Sequence, residues 1–419
     1  MRKMVLFVLI LVLSFTVYAG GAQESQGQAT SQPESNEITV VYLFDPPWYE
    51  QAAEFTEKTG IKVNYVEVTF PELRQRSLTS FLSQETRFDV IHVRGDWVAE
   101  FADKGFLEPI EKYLSEEDLA VYTESSLDNL KWKGELYGLP RYYWLWQFYY
   151  NQEILDEAGI KEVPTTWDEL IATTPKIKAI GKQPLLTGLA QNNMASFVYI
   201  LMVEEGGSIL DGNGMSAVNS AAGIRAFTTL KELYDSGTLV PAALEMNGTG
   251  PATDLFVQGN HAFLLSTPHT YPMAQDATRS NVVGKVGVGV IPFGSLGTSA
   301  AWNESAGVGI PYNSQNKEQA IEFLKFVTSP EQQKTIAMKI GRIPTFDSVL
   351  NDPEVLAEYP HFASVAEQIQ YPNGMLVSPY AREIADAVGA TALRILYGQV
   401  SVEAGLESLE KEINNIATQ

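Results

Sequence analysis

ITVVYLFDPPWYEQAAEFTEKTGIKVNYVEV, residues 38–68, is the stretch that decides the fold. Ile38 to Phe44 is a continuous apolar run, the mark of a strand covered on both faces in a parallel sheet. Trp48, Ala52 and Phe55 then recur at helical spacing, and Gly60 supplies the left-handed residue that ends a helix. Ile61, Val63 and Tyr65 alternate with Lys62 and Asn64, which predicts a second strand. Leu78, Phe81 and Leu82 give the next helix an apolar stripe, and Asp89 to Val93 follows as a third strand. Strands and helices alternating at this length form a doubly wound α/β unit.

A second region of the same kind begins near residue 150. Ile224, Phe227, Leu230 and Leu233 mark a helix, while Ala262 to Leu265 and Val286 to Ile291 read as strands. Ser329-Pro330-Glu331-Gln332 has the grammar of a helix start: a capping Ser, Pro at the first helical position, and Gln three residues after the cap. Ala381 to Ile416 reads as helix broken at Gly398. No fixed-period repeat is evident, which argues against a solenoid. A chain of 419 residues exceeds one hydrophobic core and divides into two domains.

The N-terminus reads as an export signal. Arg2 and Lys3 precede an uncharged run from Met4 to Val17, and Val17-Tyr18-Ala19 places small residues where a signal peptidase reads, predicting cleavage after Ala19. That run is shorter than the ~20 residues a membrane-spanning helix needs. No Cys stands near the cut to accept a lipid, so the expectation is a free periplasmic protein with no stable membrane insertion after cleavage. Residues 20–36 are polar and read as a flexible leader.

The net charge of −22 becomes two units more negative once Arg2 and Lys3 leave. Such a chain repels phosphate backbones and anionic lipid, which excludes nucleic acid as an expected partner. With no cysteine, stability rests on apolar burial, and a Cys nucleophile is impossible. The four histidines, His92, His261, His269 and His361, are scattered without metal-ligand spacing, and no nucleophile elbow or phosphate loop occurs. The expectation is no metal, no cofactor and no catalytic group. Asp211-Gly212-Asn213-Gly214 lacks the closing Glu of a calcium loop and reads as a β-turn. Tyr149-Tyr150 could suggest ferric iron, but neighbours on a strand point to opposite faces.

In open α/β sheets, ligands sit beyond the carboxyl ends of strands. Three segments there pair hydrogen-bonding groups with flat aromatics: Asp45-Pro46-Pro47-Trp48, Arg94-Gly95-Asp96-Trp97, and Arg141 to Trp146 (RYYWLW). Sugars require that pairing. Rings cover the apolar C–H face of a pyranose, while carboxylates and guanidinium groups bond its hydroxyls. The 7 Trp, 19 Tyr and 19 Phe leave aromatics to spare for such a surface. Asp96 has a plainer reading as the cap of a helix starting at Trp97. Trp132 and Trp167 read as packing residues.

Several blocks, in order, resemble the extracellular solute-binding proteins of bacterial ABC importers, in the carbohydrate class that includes maltose-binding proteins. They are EFTEKTGIKVNYVEV (54–68), FDVIHVRGDWVAEFADKGFLEPI (88–110), GELYGLP (134–140), FYYNQEILDEAGI (148–160), PTTWDEL (164–170), AIEFLKFVTSPEQQ (320–333) and GRIPTF (341–346). The resemblance runs from Ile38 to about Ile416 and implies a type II two-lobed periplasmic-binding-protein fold, each lobe a sheet flanked by helices. It places an N-terminal lobe at 37–142 plus 305–350 and a C-terminal lobe at 148–301 plus 355–419. Hinge crossings fall near 142–147, 302–305 and 350–358.

The resemblance also implies which residues meet the ligand. Asp96 occupies the position of a sugar-binding carboxylate, and Trp144 a ligand-facing position of the first crossing beside Tyr143. Asp45 lies in the first binding loop, with Phe44 and Trp48 near it. In the second lobe it points to Asn192 and Asn193, to His269 and Tyr271 where relatives often carry Trp, and to Trp302, Asn303 and Glu304 at the second crossing. Tyr380 and Arg382 are further candidates. Arg94, Trp97 and Arg141 complete the set: an anionic sugar is implied if both arginines face the cleft, a neutral one if they do not. The implied function is capture of a sugar or short oligosaccharide and its delivery to an inner-membrane ABC permease, by a monomer that does no chemistry. Two alternatives stay open, a binder of uronates or polyamines and a secreted glycosidase. The latter needs two facing carboxylates ~5–9 Å apart, and Asp45, Asp96 and Glu304 stand on separate loops.

Overall fold

The computed structural model describes residues 36–43, 46–83, 88–190 and 193–418. The export signal, most of the leader, and Phe44, Asp45 and Asn192 lie outside the described residues. The quoted stretch folds as its pattern dictates. Strand β1 (Glu37–Leu43) buries Val40, Val41 and Tyr42 completely. Helix α1 (Pro46–Thr59) turns Trp48 and Phe55 into the same core and ends at Gly60, whose φ of 76° a side chain would resist. Strand β2 (Lys62–Val68) pairs parallel to β1 and forms the sheet edge.

Helix α2 (Phe70–Leu82) buries Leu73, Ser77, Ser80 and Phe81, whereas Leu82 is 71% exposed. Leu82 therefore leaves the expected stripe, because one residue past Phe81 the helix has turned ~100°. Strand β3 (Val90–Val93) leads into helix α3 (Gly95–Asp103). That helix begins two residues before Trp97, with Arg94 at the cap position, so Asp96 sits in its first turn and does not cap it. Gly95 is required by close approach: a Cβ there would lie 2.3 Å from Met375 Sδ and 2.8 Å from the Asn129 carbonyl.

Further along come β4 (Leu139–Tyr142), β5 (Gln147–Asn151), α4 (Trp167–Ala179), β6 (Gln183–Leu186), α5 (Asn193–Glu204) and α6 (Ala221–Asp235). Next are β7 (His261–Ser266), α7 (Thr270–Gln275), β8 (Val286–Gly289), β9 (Ala301–Trp302) and β10 (Ala306–Gly309). The remaining elements used below are α8 (Lys317–Val327), α9 (Pro330–Ile340), β11 (Asn373–Gly374), α10 (Ala381–Leu396) and α11 (Val402–Ala417). Ser329 caps α9 as its sequence predicts, accepting from the Gln332 amide. The C-terminal helix pair breaks at Gly398, φ 68°.

Two sheets result. The first has the order β2-β1-β3-β10-β4, parallel among β1, β2 and β3 and antiparallel where β10 enters. The second has the order β8-β5-β7-β6. Each sheet has its own apolar core. One gathers Val40, Trp48, Phe101, Val308 and Phe323, the other Phe148, Phe197, Phe227, Phe263 and Val388. The molecule is thus a two-lobed α/β protein, each lobe a sheet flanked by helices. Between the sheets run 143–146 and 301–305, tied together where the Trp146 amide donates to the Trp302 carbonyl at 2.9 Å. Among the described residues no helix is long and apolar enough to cross a membrane.

Candidate functional site

A cavity of about 580 Å³ opens between the start of α3 on one side and the starts of α5 and α10 on the other. That lies within the ~300–1,000 Å³ usual for small-molecule sites. Eight of the sequence-expected residues line it: Arg94, Asp96, Trp97, Asn193, Trp302, Glu304, Tyr380 and Arg382. They come from four places in the chain, and at the first of them a helix start following a strand presents its first turn to the space beyond the sheet. Trp302 and Glu304 share one side of their extended segment, and Asn303 points to the other.

Arg94 organises the centre of this wall. Its Nε donates to Asp96 Oδ1 at 2.8 Å and its Nη2 to Asp96 Oδ2 at 3.1 Å, while Nη2 lies 2.9 Å from Glu304 Oε2. The other oxygen of Glu304 accepts from Trp302 Nε1 at 3.1 Å. Burial by itself would lower the guanidinium pKa, but Asp96 and then Glu304 outweigh it and raise the value, so the cation is secure. Burial raises the Glu304 carboxyl, against the pull of Arg94 and with the push of Asp96. Two acids and one guanidinium thus form a mutually satisfied cluster, with the Trp302 ring edge-on to Tyr199 at 5.3 Å beside it.

Trp144 and His269 do not line this cavity and pack against each other beside it. The Trp144 ring stacks on His269, centroids 6.2 Å apart and planes 12° from parallel. Burial foremost, then the charge of Arg342, pushes the His269 imidazole down to about 4, so it is neutral at physiological pH. His269 Nδ1 lies 2.6 Å from Thr267 Oγ1.

Five expected residues sit elsewhere. Trp48 is completely buried among Tyr42, Tyr65 and Phe323 and has no face left for a solute. Arg141 is equally buried, its guanidinium 4.3 Å from the Trp48 ring, and donates to Gln51 Oε1 at 2.7 Å. It therefore faces the first core, not the cleft. Tyr143 is buried with its hydroxyl on Thr123 and on Ser125 at 3.1 Å. Asn303 fixes the crossing, donating to Asn373 Oδ1 at 3.0 Å and accepting from the Ser305 amide at 3.1 Å. Tyr271 stacks on His361 at 3.7 Å and does not line the cavity.

The cavity also contains residues that the sequence reading did not single out. Arg74 and Glu100 pair across α2 and α3 at 2.5 Å, on helix faces that pattern alone assigns to solvent. Ser196, one turn beyond Asn193, and Met375 with Leu376 also line it. Only the spacing from Asn193 to Ser196 offered a signal for any of these.

The family of bacterial extracellular solute-binding proteins matches residues 44–334. The chain belongs to that family. This solute-binding protein is 26% identical over 371 residues to a Brucella abortus protein described as a binding protein, covering 86% of this chain and 87% of the relative. It is 25% identical over 350 residues to the arabinooligosaccharide-binding protein of Bacillus subtilis, covering 79% and 78% of the two chains. Its fold matches that of the sugar-binding protein MalE from Xanthomonas citri with a TM-score of 0.81 at 21% identity, over 91% of this chain and 97% of that one. The two-lobed architecture is thus common to this solute-binding protein and a structure of known fold.

Proposed function

We propose that the solute is a sugar or short oligosaccharide, held in the cavity between the lobes and handed unaltered to the permease of an ABC importer. The observation that carries this reading is the wall around Arg94, where carboxylates and a guanidinium stand beside the Trp302 and Trp97 rings. Rings suit the C–H face of a pyranose, and the charged groups suit its hydroxyls. The names of the Bacillus and Xanthomonas proteins support the same class. Arg74, Arg94, Lys104 and Arg382 nearly balance Asp96, Glu100, Asp103, Glu304 and Glu383 around the cavity, which disfavours a polyamine. Asp96 and Glu304 share one guanidinium, which leaves neither free to act as the acid or nucleophile of a glycosidase.

In this proposal the lobes are 37–142 plus 305–350 and 148–301 plus 355–419, hinged near 142–147, 302–305 and 350–358. The protein works as a monomer in the periplasm after cleavage behind Ala19. Binding closes the lobes by contacts to both, and the permease reads the closed form. A thermal-shift panel of neutral sugars, uronates and polyamines tests the solute class, because a ligand that binds only the native state raises Tm. A shift with sugars is expected. A shift with polyamines alone overturns the reading, and new reducing ends from an incubated oligosaccharide would overturn its non-enzymatic part.

A further inference from the structure

Arg342 follows Gly341, the left-handed residue at φ 65° that ends α9. Its guanidinium carbon lies 5.0 Å from the ring centroid of Tyr142 and 5.0 Å from that of Trp144. Two rings of the first crossing therefore fix where the cation stands. Trp144 stacks in turn on His269. Arg342, Trp144 and His269 are each only half-buried, so the stack keeps an open side.

Among the described residues this cation has no counter-charge. Among the described residues no carboxylate forms an ion pair with Arg342, and its Nε is buried without a hydrogen-bond acceptor. Arg94, by contrast, is matched by Asp96 and Glu304. Ring faces attract a guanidinium but do not cancel its charge. His269 beside it is held neutral and supplies no anion. The stack also adjoins the Arg94 wall: the Trp144 carbonyl accepts from the Glu304 amide at 3.2 Å.

We propose that Arg342 receives the carboxylate of an acidic sugar, so that the solute is a uronic acid or a short oligosaccharide that contains one. The inference rests on the sugar-binding reading above and narrows it. A planar guanidinium binds a carboxylate through two parallel hydrogen bonds, a geometry that no hydroxyl reproduces. The hydroxyls of the next ring would meet Asp96 and Glu304.

The test is calorimetric titration and thermal shift of the mature protein with matched pairs: galacturonate and galactose, glucuronate and glucose, digalacturonate and galactobiose. At least one acid should bind about tenfold or more tightly than its neutral counterpart. Arg342→Gln should bring that ratio towards one, and Arg342→Lys, which keeps the charge and loses the fork, should leave an intermediate ratio. The unliganded Tm of each variant checks its fold, and the Lys variant carries the test if the Gln variant does not fold. Neutral sugars binding as well as the acids would overturn the inference and leave the sugar reading standing. An acid preference unchanged in both variants would also overturn it. Galactose 1-phosphate binding as tightly as the acids would exclude the carboxylate as the recognised group. If no sugar of the panel binds, both readings fall.

Discussion

Arg94 holds two acids at the edge of a cavity, and its removal should be felt in stability as well as in binding. Arg94→Ala leaves the largely buried Glu304 without its cation, which is expected to cost about 3 kcal/mol in urea denaturation at neutral pH. Glu304 then has a folded pKa raised above the ordinary ~4.3 of an unfolded Glu. A raised carboxyl costs nothing while both states are protonated and destabilises as pH rises. The deficit should therefore shrink towards pH 4, and an equal deficit at pH 4.5 and pH 8 would contradict the account. Asp96 is more exposed, so Asp96→Ala should cost about 1 kcal/mol or less in the unliganded protein and abolish the Tm shift with ligand. Trp144→Ala should lose that shift too, and ligand shifts unchanged in both variants would remove these residues from the site. The sequence shows Asp96 because position after a strand implies access to the cleft, and Trp302 comes only from the family resemblance at the second crossing. It misplaces Trp48 and Arg141, because one helical turn or one strand register decides between core and cleft. Arg342 has no signal in the sequence, since what distinguishes it is the lack of an ion-pairing acid among the described residues.

Among the elements, β10 shows how close packing selects residues. It runs between β3 and β4, and Ala306-Gly307-Val308-Gly309 carries glycines because the neighbouring chains leave no room. A Cβ on Gly307 would lie 2.5 Å from the Leu139 carbonyl oxygen and 2.7 Å from Leu130 Cδ1. Gly307→Ala should cost about 2–3 kcal/mol in chemical denaturation, and a neutral result would mean that the strand can shift. Helix α5 poses a different problem, for its last residue is a carboxylate in the core. Glu204 is 0% exposed and accepts from Trp167 Nε1 at 2.7 Å. Burial pushes its carboxyl well above the usual range, partly opposed by the Trp167 bond and reinforced by Glu205. The folded protein therefore keeps a proton that the unfolded chain releases above about pH 4.3, and stability falls as pH rises from there. Glu204→Gln, which mimics the protonated acid, should match the wild type near pH 4.5 and gain stability over it towards pH 8. Thermal melts across that range decide the point, and a constant difference would show that burial does not raise the Glu204 carboxyl in the folded state. Periodicity made α1, α6 and β7 legible, but it stopped at their edges. It put the start of α3 two residues late, because Gly95 looks like a loop residue until Met375 is seen against it.

For the whole molecule, the decisive fact is that the first sheet is completed by residues far down the chain. Residues 306–309 pair with β3 on one side and β4 on the other, and α8 supplies Phe323 and Leu324 to the same core. The order of family-like blocks in the sequence implied such a return, whereas the local pattern of four residues, half of them glycine, did not announce a central strand. A fragment of residues 36–146 would contain β1 to β4 but leave β3 and β4 with no strand between them and Phe55 without its partner Phe323, whose ring lies 5.0 Å away. Unpaired backbone groups and an exposed apolar face both act against folding. Such a fragment is expected to show no cooperative thermal transition by circular dichroism and no dispersed amide resonances. A fusion that appends residues 303–350 through a flexible linker should recover a sharp transition, since it returns β10 and α8. A fragment that melts cooperatively by itself would mean that the first lobe folds before the chain comes back to it, and the crossings would then be assembly contacts and not a condition for folding.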